Sequence, residues 1–195
     1  MSGWRWTAAG AAGATVVVAA AVTAGLAAAV LAAGRRLPVE HVSEGGLELD
    51  RPPAEVWDVL TAVDLFPAWR PGLAHVERLP ATAAGHPRWR EYGRHGHTTY
   101  EVVESAAPHR LVTGIADPDL PYGGTWTYVL TPAGRGCTLT VTEHGEVYQP
   151  LYRAVSHYLT GEGATVHRYL GALAHRMAAA GQGQPPEPQR TQSRR

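Results

Sequence analysis

The chain has 195 residues, enough for one substantial domain with appendages and too few for two ordinary domains plus an anchor. Its seventeen basic residues are all Arg, and they cancel seventeen acids to a formal charge of zero; that balance argues against a generic polyanion binder. The lone Cys137 excludes an intramolecular disulfide and a cysteine-based zinc site.

The zero conceals a segregation of charge. Residues 1–37 carry Arg5, Arg35 and Arg36 with no acid, a net of +3. The last fifteen residues carry three Arg against Glu187, a net of +2. Residues 38–180 hold the remaining eleven Arg against sixteen acids, a net of −5. An acidic body is not expected to take a nucleic-acid partner.

Thr7 to Gly34 is an uncharged run of 28 residues, fourteen of them Ala, four Gly and seven Val or Leu. A helix needs about 20 residues to cross a bilayer. Length, together with Trp4 and Trp6 on one flank and Arg35 and Arg36 on the other, makes residues 1–37 an expected membrane anchor with a transmembrane helix over 7–34. Two other readings stay open: a signal peptide cut near Ala27-Ala28-Ala29, and an Ala-rich soluble helix. Arg35 and Arg36 lean the following domain to the cytoplasmic side of a single-pass membrane protein. The other end, 181–195, has no apolar residue to bury and is expected to be a disordered tail.

Residues 38–180 are expected to form one domain. Val42–Leu49 reads as a strand. Asp50-Arg-Pro-Pro-Ala-Glu-Val-Trp-Asp-Val-Leu then carries helix start signals, with Val56, Val59, Leu60 and Val63 as the apolar face. Pro67, Pro71 and Gly72 end it. Five strands follow, Ala74–Leu79, Arg88–Tyr92, Thr98–Ser105, Arg110–Ile115 and Tyr122–Thr131, and a tight hairpin leads into a sixth, Cys137–Glu146. There Leu139 and Val141 alternate with Thr138, Thr140 and Thr142, the period of a sheet with one buried face. From Pro150 the period becomes helical: Leu151, Val155, Leu159, Val166, Leu170, Leu173 and Met177 form one stripe, interrupted at Gly161-Glu-Gly163. Such a helix is expected to lie across the sheet.

This order, with Arg51-Pro-Pro-Ala-Glu-Val-Trp-Asp-Val-Leu, Pro67-Ala-Trp-Arg-Pro-Gly, Tyr100-Glu-Val-Val-Glu-Ser-Ala-Ala-Pro-His-Arg-Leu and Gly124-Thr-Trp-Thr-Tyr-Val-Leu-Thr-Pro, resembles the SRPBCC or START-like superfamily and its polyketide cyclase/dehydrase-like members. The resemblance implies an α+β helix-grip fold, a curved antiparallel sheet of about seven strands gripping a long C-terminal helix. It also implies a cavity for a hydrophobic small molecule, a lipid or a polyketide. No phosphate-cradling Gly loop or dinucleotide fingerprint falls in a strand-to-helix context, and no cofactor is expected. Trp69, Tyr92, Tyr100, Trp126, Tyr128 and Tyr152 are the candidate cavity residues, since rings with a polar edge suit an apolar ligand bearing a few oxygens. The competing enzymatic reading needs a titratable group inside. Glu143 and His144, at the end of the last strand, are the candidates for acid–base catalysis. Adjacent strand residues face opposite ways, so only a bulge at Gly145 would let them share a face. The plainer reading of Glu143 is an ion pair with an arginine such as Arg70 or Arg90. His95-Gly-His97 lacks an evident third ligand and no metal is expected.

Overall fold

The computed structural model describes residue 25 and residues 27–94, 96–160 and 163–181. Most of the expected anchor, and the expected tail beyond Gly181, lie outside the described residues. Residues 27–36 are helical (α1). Among the described residues no helix is long and apolar enough to cross a membrane.

Seven antiparallel strands make one sheet: β1 (Glu40–Leu49), β2 (Leu73–Leu79), β3 (Arg88–Gly93), β4 (Gly96–Ala106), β5 (Arg110–Ile115), β6 (Tyr122–Ala133) and β7 (Gly136–Val147). Their order is β1-β7-β6-β5-β4-β3-β2. Each strand expected from the sequence is present, most of them longer by one or two residues at an end. The first and last strands pair, from Glu40 with Glu146 to Leu49 with Cys137. The chain therefore crosses from one sheet edge to the other between β1 and β2. That crossing is made by α2 (Pro53–Thr61) and a 3₁₀ turn over Val63–Ala68. Pro53 opens α2, where a missing N–H costs nothing, and Glu55 sits in the first turn near the positive end of the dipole. Val56, Leu60, Val63 and Phe66 from this crossing are buried.

The alternation expected of β7 holds: Cys137, Leu139 and Val141 are buried, facing Leu130 and Tyr128 of β6. Register shifts between Leu73 and His75 and between Val102 and Glu104 mark irregularities that bend the sheet. Gly124 has a φ of +125°, and a Cβ there would fall against the His144 carbonyl, so β6 and β7 approach too closely for any side chain at that point.

The C-terminal segment is broken at Gly163, within the Gly161-Glu-Gly163 interruption expected from the sequence. It divides into α3 (Pro150–Val155), a π-helical turn over Ser156–Thr160, and α4 (Ala164–Gly181), with Gly163 at a φ of +80°. The division splits the apolar stripe. Val166, Leu170, Leu173 and Met177 on α4 are buried, while Leu151 and Val155 on α3 are exposed. α4 makes the main contact with the sheet, on β1, while α3 buries Ala154 and leaves Leu151 and Val155 exposed. α4 rests directly on β1, where a Cβ on Gly45 would meet Leu170 and Val166.

Leu173 is fully buried where α4 meets the sheet. Leu173→Ala should lower the urea unfolding free energy of the full chain by about 3 kcal/mol, the usual cost of a large-to-small core change. Leu65→Ala, at an exposed position, should change it by less than about 0.5 kcal/mol.

Candidate ligand cavity

Sheet, crossing and α4 line a partly open cavity of about 210 Å³. The strand side supplies Trp89 and Glu91 (β3), Tyr100 (β4), Leu111 and Thr113 (β5), and Trp126 and Tyr128 (β6). Each pair is two residues apart, which puts both members on one face. The crossing supplies Leu60, Phe66, Arg70 and Pro71, and α4 supplies Thr165, Arg168, Tyr169 and Ala172.

An ion pair stands in the cavity wall. An Arg70 Nη1–H donates to Glu91 Oε1, and the Trp89 indole N–H donates to the same oxygen at 3.0 Å. Glu91 is 7% exposed, and a carboxylate is tolerated at that depth only when it is paired and hydrogen-bonded. The guanidinium lies over the rings of Phe66 (4.9 Å) and Tyr169 (5.6 Å), an arrangement attractive for a cation. Burial is the largest single influence and works against the Arg70 charge, but Glu91, Tyr169 and Tyr128 together more than offset it and hold the group above its ordinary pKa.

Three tyrosines share the wall. Burial raises the pKa of Tyr100 and Tyr128, and takes Tyr169 up to about 12 against the pull of Arg70. Tyr128 and Tyr169 stand side by side, with ring centroids 5.7 Å apart. At neutral pH these phenols stay protonated and can donate to an oxygen of a bound molecule. Arg168, near the first turn of α4, adds a second cation to the lining. Two arginines against one carboxylate leave the cavity positive within a body whose net charge is negative.

Of the candidate cavity residues, Tyr100, Trp126 and Tyr128 line the space. Trp69 packs behind it, edge-on to Tyr169 at 5.6 Å; its buried indole N–H has no hydrogen-bond partner among the described residues. Tyr92 is on the opposite face of β3 from Trp89 and Glu91, with its hydroxyl on Glu77 and its ring stacked on His75. Tyr152 is half-exposed on α3.

Glu143 and His144 face opposite ways. The β6–β7 register runs unbroken through Gly145, so no bulge brings them together. His144 is exposed. Glu143 points inward, but into a smaller cleft of about 70 Å³ between the start of β1 and the α3–α4 break. Thr165 lines both spaces. Neither Arg70 nor Arg90 pairs with Glu143: Arg70 holds Glu91, and Arg90 donates to Thr99 at 3.1 Å. Burial instead raises the Glu143 pKa, partly offset by His41 and a hydrogen bond from Trp126.

Glu91, Arg70 and Tyr169 went unread as cavity residues in the sequence, although signals existed for two of them. Glu91 is two residues after Trp89 and so shares its face. Tyr169 follows Val166 by three and precedes Leu173 by four, which places it on the buried stripe. Among the described residues no cluster of His, Cys, Asp or Glu is arranged to hold a metal ion; His95 lies outside them, and His97 packs on Tyr92. Cys137 is core, its thiol pKa raised by burial.

A curved antiparallel sheet closed by a C-terminal helix over an aromatic cavity defines a helix-grip, START-like protein. Residues 39–180 match the family model described as polyketide cyclase / dehydrase and lipid transport. The chain belongs to that family. Among solved structures it is similar to a START superfamily protein from Mycobacterium smegmatis (17% identity, 72% of this chain and 99% of that one, TM-score 0.59). It is similar also to the di-domain ARO/CYC protein StfQ of the steffimycin biosynthetic pathway (15% identity, 74% and 53%, TM-score 0.57). A third is a Thalictrum norcoclaurine synthase point mutant in complex with a transition-state analogue (13% identity, 73% and 97%, TM-score 0.57). At these identities the likeness is one of fold. No match is found among curated proteins.

Arg70→Leu strands a buried carboxylate and should cost about 3–5 kcal/mol in urea unfolding. Arg70→Leu with Glu91→Leu should recover most of that loss; a double variant as unstable as the single would show that the pairing is not the cause.

Because folding raises the Glu143 pKa, the folded state binds that proton more tightly than the unfolded chain does. Stability contributed by this group is present below the unfolded value near 4.5 and is lost as pH rises through the folded one. Glu143→Gln keeps an acceptor for Trp126 and removes the ionisation. It should therefore raise the melting temperature at pH 7, with the gain shrinking toward pH 4; a gain independent of pH would contradict the assignment.

Proposed function

We infer that the protein binds a hydrophobic small molecule, a lipid or polyketide-like compound with one or a few oxygens, while tethered to a membrane through residues 7–34. The observation that carries this reading is the partly open cavity, with aromatic walls and one fixed cluster of donors around Arg70. A dry apolar cavity of roughly 150 Å³ suffices to bind benzene, so about 210 Å³ accommodates a substituted ring or a short stretch of acyl chain. Arg70 and Arg168 favour a ligand whose oxygens carry negative charge or a strong carbonyl dipole. The uncharged run and Arg35-Arg36 support a single-pass anchor with the domain on the cytoplasmic side, and tethering raises the domain's effective concentration near lipid-borne ligands.

The alternative, an acid–base enzyme resembling polyketide cyclases, draws support from Glu143: its carboxylate takes a hydrogen bond from Trp126, which itself lines the cavity. The binding reading is better supported, because the phenols are held neutral and the carboxylate within the cavity is tied to Arg70 and Trp89. A general base needs a pKa near the working pH and an unobstructed oxygen.

Native mass spectrometry of the full chain should find a co-purified apolar molecule. Titration with 1-anilinonaphthalene-8-sulfonate, an aromatic anion, should give saturable fluorescence. Ala172→Phe adds a ring within the cavity and should abolish that signal at unchanged melting temperature. Undiminished binding by the filled variant would place the probe elsewhere and remove the support for the cavity.

A further inference from the structure

The split in the C-terminal segment leaves an apolar face exposed among the described residues. Leu151, Tyr152, Val155 and Tyr158 are 48%, 51%, 43% and 65% exposed. Their spacing of one, three and three residues places them along one side of α3 and its π-helical continuation. Two of the four are tyrosines, whose rings are apolar and whose hydroxyls can remain wet, the composition of a residue set at a lipid–water boundary.

The position of this face in the chain points to what covers it. Arg153, in the middle of α3, donates through Nε to the Gly34 carbonyl at 2.9 Å, and a Cβ on Gly34 would run into the Pro150 carbonyl. The last residue of the uncharged run is thus held against α3. Arg35 and Arg36 are exposed beside Gly34, while Glu40 and Glu143 line the cleft next to them and Glu146 accepts a hydrogen bond from Tyr148. The corner where Gly34 meets the domain is thus apolar at its surface, with two exposed cations on the chain that leads into it. The smaller cleft opens at the same corner, between Leu37–His41 and Arg153–His157, and shares Thr165 with the main cavity.

We propose that this face of α3 docks on the surface of an anionic bilayer and holds the domain in one orientation, with the smaller cleft toward the lipid. The proposal rests on the tethering reading above. The tether alone leaves the domain free to tumble on its stalk. Interfacial insertion of the α3 side chains, aided by the exposed Arg35 and Arg36, adds an orientation that a tether does not supply.

The test uses the full chain reconstituted with vesicles of phosphatidylcholine and phosphatidylglycerol carrying nitroxide-labelled lipid. Cys137 is buried, so an environment-sensitive nitrobenzoxadiazole label can be directed to Leu151→Cys, to Tyr158→Cys as an independent site, and to Leu65→Cys as a reference. Leu65 is exposed on the 3₁₀ turn, packed near β2 at the other sheet edge. Residues set into the interface sit about 5–10 Å below the headgroup boundary. The labels at 151 and 158 should therefore shift to the blue and lose roughly half their emission to the nitroxides, while the label at 65 does neither. Chain that floats with the vesicles but shows no quenching at 151 and 158 overturns the docking and leaves the tether standing. Chain that fails to float overturns both. A blue shift without nitroxide quenching means that protein, such as a second copy, covers the face, and this also overturns the proposal.

Discussion

The guanidinium of Arg70 joins three parts of the molecule that have no covalent reason to stay together. It leaves the chain just after the 3₁₀ turn, bonds a carboxylate on β3, and lies over a ring contributed by α4. Sheet, crossing and helix are thereby registered at one point, and that point is the wall of the cavity. Neither charge would be tolerated there alone, since each depends on the other to offset its loss of water. The Trp89 N–H adds to the same carboxylate oxygen, and the rings of Phe66 and Tyr169 flank the cation. An interior that must hold this pair cannot be filled entirely with aliphatic side chains, so the space beside it stays open and polar at one place.

That constraint sets the chemistry of the site. Burial keeps Tyr100, Tyr128 and Tyr169 protonated, and Glu91 keeps Arg70 charged. The wall presents donors, which suits recognition of oxygens on an otherwise apolar molecule. The fold by itself does not choose between carrying such a molecule and transforming it, because structures that share it include a START superfamily protein and a norcoclaurine synthase. The choice lies in the side chains inside, and here those side chains hold their protons firmly.

Much of the architecture was legible in the residues. Alternation in Leu139 and Val141, turn residues between the strands, and the helical period after Pro150 placed every strand and the gripping helix. Tyr100, Trp126 and Tyr128 were legible as cavity residues because each lies on a strand with the right composition and parity. Tyr92 sits one residue from Glu91, and that single step decided its face: parity turns one of them inward and the other toward Glu77 and His75. The partner of Arg70 was not legible, because Arg70 and Glu91 are joined only when a loop after α2 is laid against β3. The break in the stripe from Leu151 to Met177 was legible in Gly161-Glu-Gly163, but the outward turn of the apolar side before it was not, since spacing records which side of a helix a residue occupies and not which way the helix runs after a break.

By itself, then, the sequence determined the number and order of strands, the helix that closes them, the acidic body between basic ends, and an interior rich in aromatic rings. These follow from local periodicity and composition, which need only a few neighbouring residues to act. The tertiary structure alone decided which arginine meets which carboxylate, that Glu143 opens into a separate cleft, and that α3 turns its apolar side outward beside the end of the uncharged run. Those outcomes depend on groups far apart in the chain competing for one buried space, and nothing local records who wins.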